Sequence, residues 1–244
     1  MPRVIKKKIY QDLSLIYDHL MKKVRYDYWA DYIYNLTFEY LNNNPRILEL
    51  GSGNCQFAEY FIKKFPNYVA TDISIDMLRR SKTKLINVCC DMTSLPFNSK
   101  FDMILSTFDS VNYLTSKKKL LLFLNESASL LKENGILAFD ASMEGNSLKH
   151  INNPVRQGKI KDIEYVHRSI YDKSSRIHSN IFEIKFADGN THKETHKQKI
   201  FHFVDYFNYI EKAKLYVVDC VEAFTFRKGK ENSKRVQFIV KKAG

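Results

Sequence analysis

The chain has 244 residues, with 39 Lys and Arg against 27 Asp and Glu, a formal charge of +12. A hydrophobic content of 44% is enough for a packed core, and only 8 glycines exclude collagen-like and glycine-rich disordered classes. No apolar run approaches the ~18 residues of a membrane span. The basic start, residues 1–8, leads into a polar amphipathic stretch rather than the apolar core of a signal peptide.

Residues 10–42 contain no Gly or Pro and carry helically spaced apolar positions (Leu13, Ile16, Tyr17, Leu20; then Trp29, Ile33, Leu36). They predict two helices with a break near 23–26. The period then changes. Short apolar runs at 46–50, 68–72, 85–90, 101–106 and 136–140 predict five strands. Helical segments separate most of them, after the glycine loop at 51–53, around 76–82 and over 116–131, with Asn134-Gly135 stopping the last. Strands alternating with helices predict a mainly parallel sheet covered on both faces.

After Met143 the rhythm breaks. Turn signals at 172–175 and at Asp188-Gly189-Asn190 separate three antiparallel strands, about 162–171, 176–186 and 192–201. In the middle one the apolar phase shifts between Ile181 and Phe182, which predicts a bulge or a strand buried differently at its two ends. A helix at 204–213 and strands at 216–226 and 236–242 complete the pattern. The expected architecture is α/β, a Rossmann-like seven-stranded sheet built from 1–150 and 203–244, with an antiparallel β-insert at 151–202 that serves as a lid or as a substrate or dimer element.

The most informative segment is Glu49-Leu50-Gly51-Ser52-Gly53-Asn54, where a strand runs through a tight glycine loop into a helix. Glycines let the backbone pass close under a ligand, and the helix start offers free N–H groups. A dinucleotide site would want G-x-G-x-x-G, but Gln56 stands at the third position. Glu49 would repel a pyrophosphate and suits a ligand with a cationic amino-acid end. Asp72 ends the second strand, 23 positions on, where a carboxylate can accept from two ribose hydroxyls. Cys90-Asp91-Met92 ends the third. Asp91 can accept from an adenine amino group, with Ile73 and Met92 flanking the ring. Three carboxylates at successive strand ends share the rim where α/β sheets bind ligands.

These blocks, in this order and spacing, resemble the class I S-adenosylmethionine-dependent methyltransferases. Residues 101–104, 108–114 and 131–137 resemble the family's following blocks. The segments Ile16-Tyr17-Asp18-His19-Leu20-Met21 and 26–33 resemble a subgroup with a β-insert that includes small-molecule, aminosugar-type N-methyltransferases. The resemblance implies S-adenosylmethionine as cofactor, with Met77, Cys90 and Ser106 added to its contacts and with Tyr17 and Tyr26 closing over it.

Methyl transfer from a sulfonium needs alignment and exclusion of water more than a catalytic triad. Asp109, Asn112 and Tyr113 follow the fourth strand, where the reacting methyl sits in this fold, and so border the acceptor. Glu194-Thr195-His196-Lys197-Gln198 resembles the subgroup's E-x-H-x-Q/R element. Its alternate residues share one strand face, and His196 titrates near neutrality, suited to taking a proton from the acceptor. His192 and His196 lie about 13 Å apart on a strand and the string is not H-E-x-x-H, so no metal site is expected.

The expected function is methyl transfer to N or O of a small molecule. The alternatives are an RNA methyltransferase, motivated by the charge, and a cofactor-binding module without catalysis. The lysines are scattered over helix faces and loops, which favours surface composition over a nucleic-acid partner. Cys55, Cys89, Cys90 and Cys220 form no C-x-x-C pair and read as reduced thiols of a cytoplasmic protein. No membrane partner is expected, and the chain is expected to be a monomer or homodimer.

Overall fold

A computed structural model describes residues 4–242. The chain begins with a short strand, β1 (Val4–Lys6), then a 3-10 turn at Leu13–Leu15, a single helical turn α1 (Tyr17–Leu20) and α2 (Tyr26–Thr37). The break near 23–26 is present, but only its second side is a full helix. The α/β alternation follows as β2 (Ile47–Leu50), α3 (Gln56–Phe61), β3 (Tyr68–Asp72), α4 (Ile75–Leu78), β4 (Ile86–Cys89), β5 (Phe101–Ser106), α5 (Lys117–Leu130) and β6 (Leu131–Ser142). Then come α6 (Glu144–Ile151), β7 (Val155–Ile160), β8 (Ile163–Asp172), β9 (Ile177–Lys185), β10 (Thr191–Lys199), α7 (Phe203–Lys212), β11 (Leu215–Glu222) and β12 (Arg235–Lys242).

The seven-stranded sheet has the order β11-β12-β6-β5-β2-β3-β4, and only β12 runs antiparallel to its neighbours. Alternate residues of the central strands feed opposite layers. Leu48, Leu50 and Ile104 face α5 and α7 through Leu120, Phe123, Tyr206 and Ile210. Ile47, Met103 and Leu105 face α2 and α3 through Trp29, Ile33, Phe57 and Phe61. Both faces are covered, as the unbroken apolar runs require.

The second sheet has the order β1-β10-β9-β8-β7 and departs from expectation at both ends. Strand β7 and helix α6 carry few apolar residues in phase, and their periodicity shows neither. Strand β1 lies in the basic start and pairs parallel to β10 at Thr191–Lys193, a partner about 187 positions away that no local pattern reveals. Strand β6 is longer than the predicted 136–140, but its pairing with β5 shifts register between Leu131 and Ile136, where the missing Cβ of Gly135 leaves room for the Phe101 carbonyl, 3.0 Å from where it would stand. The predicted bulge in β9 is absent: its pairing with β8 and β10 is in continuous register. The apparent phase shift arises because His178 and Asn180 share the inward face with Phe182 and Ile184. The apolar half of that face is covered by Leu13 and Ile16 of the N-terminal segment.

Candidate active site

The glycine loop forms because β2 must end and turn sharply beneath its neighbours. Gly51 and Gly53 sit at φ +72° and +58°. A Cβ on Gly51 would stand 2.8 Å from the Ser110 side chain, and one on Gly53 would stand 3.2 Å from Met77 Cε. The left-handed backbone of these glycines, and that of Cys55, turns the chain into α3. The loop is braced by its acidic neighbour: Gly53 N–H and Ser74 N–H each donate to Asp72, both at 2.8 Å, and Ser52 N–H donates to the Thr71 carbonyl at 2.8 Å.

A cavity of about 350 Å³ opens over the ends of β2, β3, β4 and β5. Glu49, Gly51, Ser52, Gly53 and Asn54 form its floor, and Asp72, Ile73 and Met77 form the next wall. Cys90, Asp91 and Met92 stand beyond them, and Tyr17 and Tyr26 close it from the N-terminal side. Ser106 does not reach it: this residue is fully buried within the sheet. Of the four residues expected at the reacting centre, Tyr113 lines the cavity, whereas His196, Asp109 and Asn112 do not; Asn112 is fully buried and donates to the Ser142 and Lys199 carbonyls.

Asp109 is instead part of an ionic knot. Arg235 donates to Asp109 at 2.6 Å and also to Asp140, while Gln198 donates to the other Asp109 oxygen at 2.6 Å. Asp140 is fully buried, and burial pushes its carboxyl up to about 6. Asp109 therefore ties β12 and the insert to the turn after β5, where Phe108 and Asp109 both hold left-handed backbone. That turn presents Phe108 to the cavity, against Trp29 at a 3.7 Å ring separation.

Glu49 is 1% exposed and accepts from Tyr68 Oη at 2.8 Å and Thr107 Oγ1 at 3.3 Å. Desolvation dominates these bonds and pushes its carboxyl up to about 7.

The roof is the N-terminal segment: the resemblance implies Tyr17 and Tyr26 in it, but no local pattern marks Ile9 and Tyr10 for that role. Tyr10 and Ile9 line the cavity, with Thr195 and Lys197 of the insert and Lys119 of α5 at the same opening. Asp18 accepts from Asn54, Gln56 and Lys82, which pins the segment to the loop side. On the other side Glu194 accepts from the backbone N–H groups of Tyr10 at 2.7 Å, Asp12 at 2.5 Å and Leu13 at 3.0 Å. The same carboxylate meets His196 Nε2 at 3.1 Å, and His196 Nδ1 lies 3.4 Å from the Tyr113 hydroxyl. Glu194 is therefore a docking residue for the roof. A hydrogen bond to a charged group contributes about 1.5–3 kcal/mol, so Glu194→Ala is expected to speed early tryptic cleavage at Lys8, Lys22 or Lys23 at least about tenfold. Mapping the first fragments by mass spectrometry checks this, and an unchanged cleavage rate contradicts the docking role.

A Rossmann-like sheet with carboxylates at three successive strand ends, all facing one roofed cavity, defines a binder of a small cofactor with an amino-acid end and a nucleoside end. The comparisons with known proteins agree. The methyltransferase domain family matches residues 47–135. An S-adenosylmethionine-dependent methyltransferase from Clostridium acetobutylicum ATCC 824 superposes with a TM-score of 0.81 at 25% identity, over 96% of this chain and 99% of that one. YqeM of Bacillus subtilis (strain 168), provisionally named a methyltransferase, is 25% identical over 245 residues, 96% of this chain and 98% of its own length. The fold likeness extends to the sugar N-methyltransferase KedS8 from Streptoalloteichus sp ATCC 53650, with a TM-score of 0.74 at 14% identity over 93% and 91% of the two chains. This chain is a class I S-adenosylmethionine-dependent methyltransferase.

The donor set fits that cofactor: carboxylates for the amino group and the ribose, backbone N–H groups at the loop, and apolar Ile73 and Met92 beside Asp91. Among the described residues no cluster of His, Cys, Asp or Glu can hold a metal ion, and no helix is long and apolar enough to cross a membrane.

Proposed function

We propose that the enzyme methylates a nitrogen or oxygen of a small-molecule acceptor. The observation that carries this reading is the roof. Tyr10, Tyr17 and Tyr26 close one side of the cavity and Thr195 and Lys197 stand on the other, so the acceptor must approach the cofactor through a roofed opening rather than across an open groove. The likeness to KedS8 fits it. In this reading Glu49 and the loop N–H groups hold the amino-acid end of the cofactor, Asp72 the ribose and Asp91 the adenine. Tyr113 borders the acceptor, with His196 behind it as the base. Bound S-adenosylmethionine supplies an activated methyl group on its sulfonium. The chain's own work is to align the acceptor, keep out water and move one proton. Four free cysteines fit a reducing compartment such as the cytoplasm.

A screen of small amines and phenols for methyl acceptance tests the reading, with tRNA as the competing acceptor. Methylation of tRNA alone, with binding that weakens steeply between about 50 and 200 mM salt, would replace it by the RNA reading that the +12 charge motivates.

The Glu49 carboxyl makes a second prediction. In the free protein it titrates at about 7, and pairing with a cationic amino group favours the ionised form. Below that pH the carboxyl is protonated, so cofactor affinity is expected to fall as pH drops through 7. Binding near pH 7 is expected to release a fraction of a proton. Calorimetry in buffers of different ionisation enthalpy measures that release, and Glu49→Gln should abolish it.

A further inference from the structure

Behind Tyr113 lies a chain of polar groups whose direction can be worked out from one end. Glu194 is fully buried. Its Oε1 accepts from Asp12 N–H and Leu13 N–H, and its Oε2 accepts from Tyr10 N–H and meets His196 Nε2. A carboxylate has about four lone-pair sites, and here all four face donors or the imidazole. Three are taken by amide N–H groups, so a proton could sit only between Oε2 and His196 Nε2, and three amide donors favour the ionised carboxylate, which makes Glu194 the acceptor there. Burial opposes this, but the bonds from His196 and the two amides still hold its carboxyl below the ordinary range.

His196 must then carry a hydrogen on Nε2, pointing at Glu194, and a ring with that one hydrogen presents a bare Nδ1. The group facing Nδ1 is the Tyr113 hydroxyl at 3.4 Å, which must donate. The Tyr113 oxygen is left as acceptor, and the Tyr10 hydroxyl lies 2.6 Å from it. Asn180, opposite His196 across the sheet, does not compete, because its Oδ1 is occupied by His167 and Ser169. The direction is thus Tyr10 to Tyr113 to His196 to Glu194. The far end, the Tyr10 oxygen with its remaining lone pairs, belongs to a residue on the cavity wall.

We propose that Tyr10 is the residue that receives the acceptor's proton, relayed through Tyr113 to His196, and that Glu194 completes this relay only while the N-terminal roof is docked. The inference rests on the small-acceptor reading above. In the step, the acceptor's N–H or O–H bond breaks and its electron pair stays on the atom that takes the methyl group. The proton goes to the Tyr10 oxygen, the Tyr10 hydrogen to Tyr113, and the Tyr113 hydrogen to His196 Nδ1. Both tyrosines end neutral, and an imidazolium stands beside Glu194. Burial raises both phenols well above their usual range, so they pass the proton on rather than hold a negative charge. The 3.4 Å link is longer than a tight bond, as catalytic hydrogen bonds often are before substrate binds. The carboxylate that orients His196 also holds the Tyr10 main chain, so an open roof lacks the first member of the relay and an open site cannot deprotonate its acceptor.

The tautomer of His196 decides the direction without any acceptor. Long-range proton–nitrogen correlation spectra of the wild-type protein with S-adenosylhomocysteine, at pH about 7.5, are expected to show Nε2 protonated and Nδ1 bare. The His196→Gln spectrum supplies the assignment. A proton on Nδ1, alone or in a doubly protonated ring, overturns the proposal. The second arm is Tyr10→Phe, assayed with the amine returned by the acceptor screen. Turnover at pH 7 is expected to fall about 10²-fold with unchanged S-adenosylhomocysteine affinity. The deficit should shrink at pH values where the amine is already neutral in solution. Wild-type turnover at both pH values overturns the role of Tyr10. If the screen returns no small acceptor, the small-acceptor reading fails, while the tautomer still decides the relay.

Discussion

Replacing Asp72 by alanine is expected to weaken S-adenosylhomocysteine binding about 10²- to 10³-fold. Asp72 is 8% exposed and lies on the cavity wall, at the position from which a carboxylate reaches two ribose hydroxyls. Each such charge-assisted bond contributes about 1.5–3 kcal/mol, and two exceed the ~2.8 kcal/mol that a hundredfold change in affinity requires. A second loss adds to this. The same carboxylate accepts from Gly53 N–H and Ser74 N–H, so its removal frees both the glycine loop and the start of α4. Asp72→Asn keeps one acceptor oxygen and should fall between the wild type and alanine. Calorimetric titration measures all three proteins. An Asp72→Ala protein that is folded and binds with wild-type affinity would remove the residue from the cofactor site.

Arg235→Met is expected to cost about 3–5 kcal/mol of stability, the range for leaving a buried charge without its partner. At this chain length that lowers the melting temperature by roughly 10 °C. The guanidinium lies between Asp140, which is fully buried, and Asp109, and without it two carboxylates face each other in the core. The pH dependence has a defined sign. Asp140 titrates at about 6 in the folded protein against an ordinary 3.8. Between those values the folded state binds more protons than the unfolded one, so stability falls as pH rises through the window. Without Arg235 the ionised form is penalised further, so the deficit should be largest above pH 6 and smaller near pH 5. Thermal melts at pH 5 and pH 7.5 test this. An equal deficit at both pH values would mean that Asp140 does not titrate there.

The ionic knot also corrects the reading of Asp109 as a group at the reacting centre. The spacing after β5 places Asp109 near the cavity, and Tyr113, four positions on, does line it. The carboxylate turns the other way because Arg235, 126 positions later, offers it a cation. Ser106, the last residue of β5, is fully buried on the sheet face it shares with Ile104 and so does not reach the rim. His196 is a neighbour of Tyr113 rather than of the cavity, since its strand face is covered by the N-terminal roof. By contrast, each expected contact of the glycine loop, and those after β3 and β4, lies on the cavity wall.

Local chemistry determined the layers of the main sheet, the turn at Gly51 and Gly53, and the carboxylates at the ends of β2, β3 and β4. Each of these depends on residues within a few positions of one another, through side-chain alternation, backbone freedom and strand termination, so a short window of sequence contains the cause. Tertiary structure alone decided that β1 joins the insert, that Tyr10 roofs the cavity and that Glu194 anchors it. Those outcomes come from backbone groups near the start of the chain finding partners 181 to 187 positions away. A buried polar group must be satisfied, but which distant residue satisfies it is settled only when the chain has closed around it.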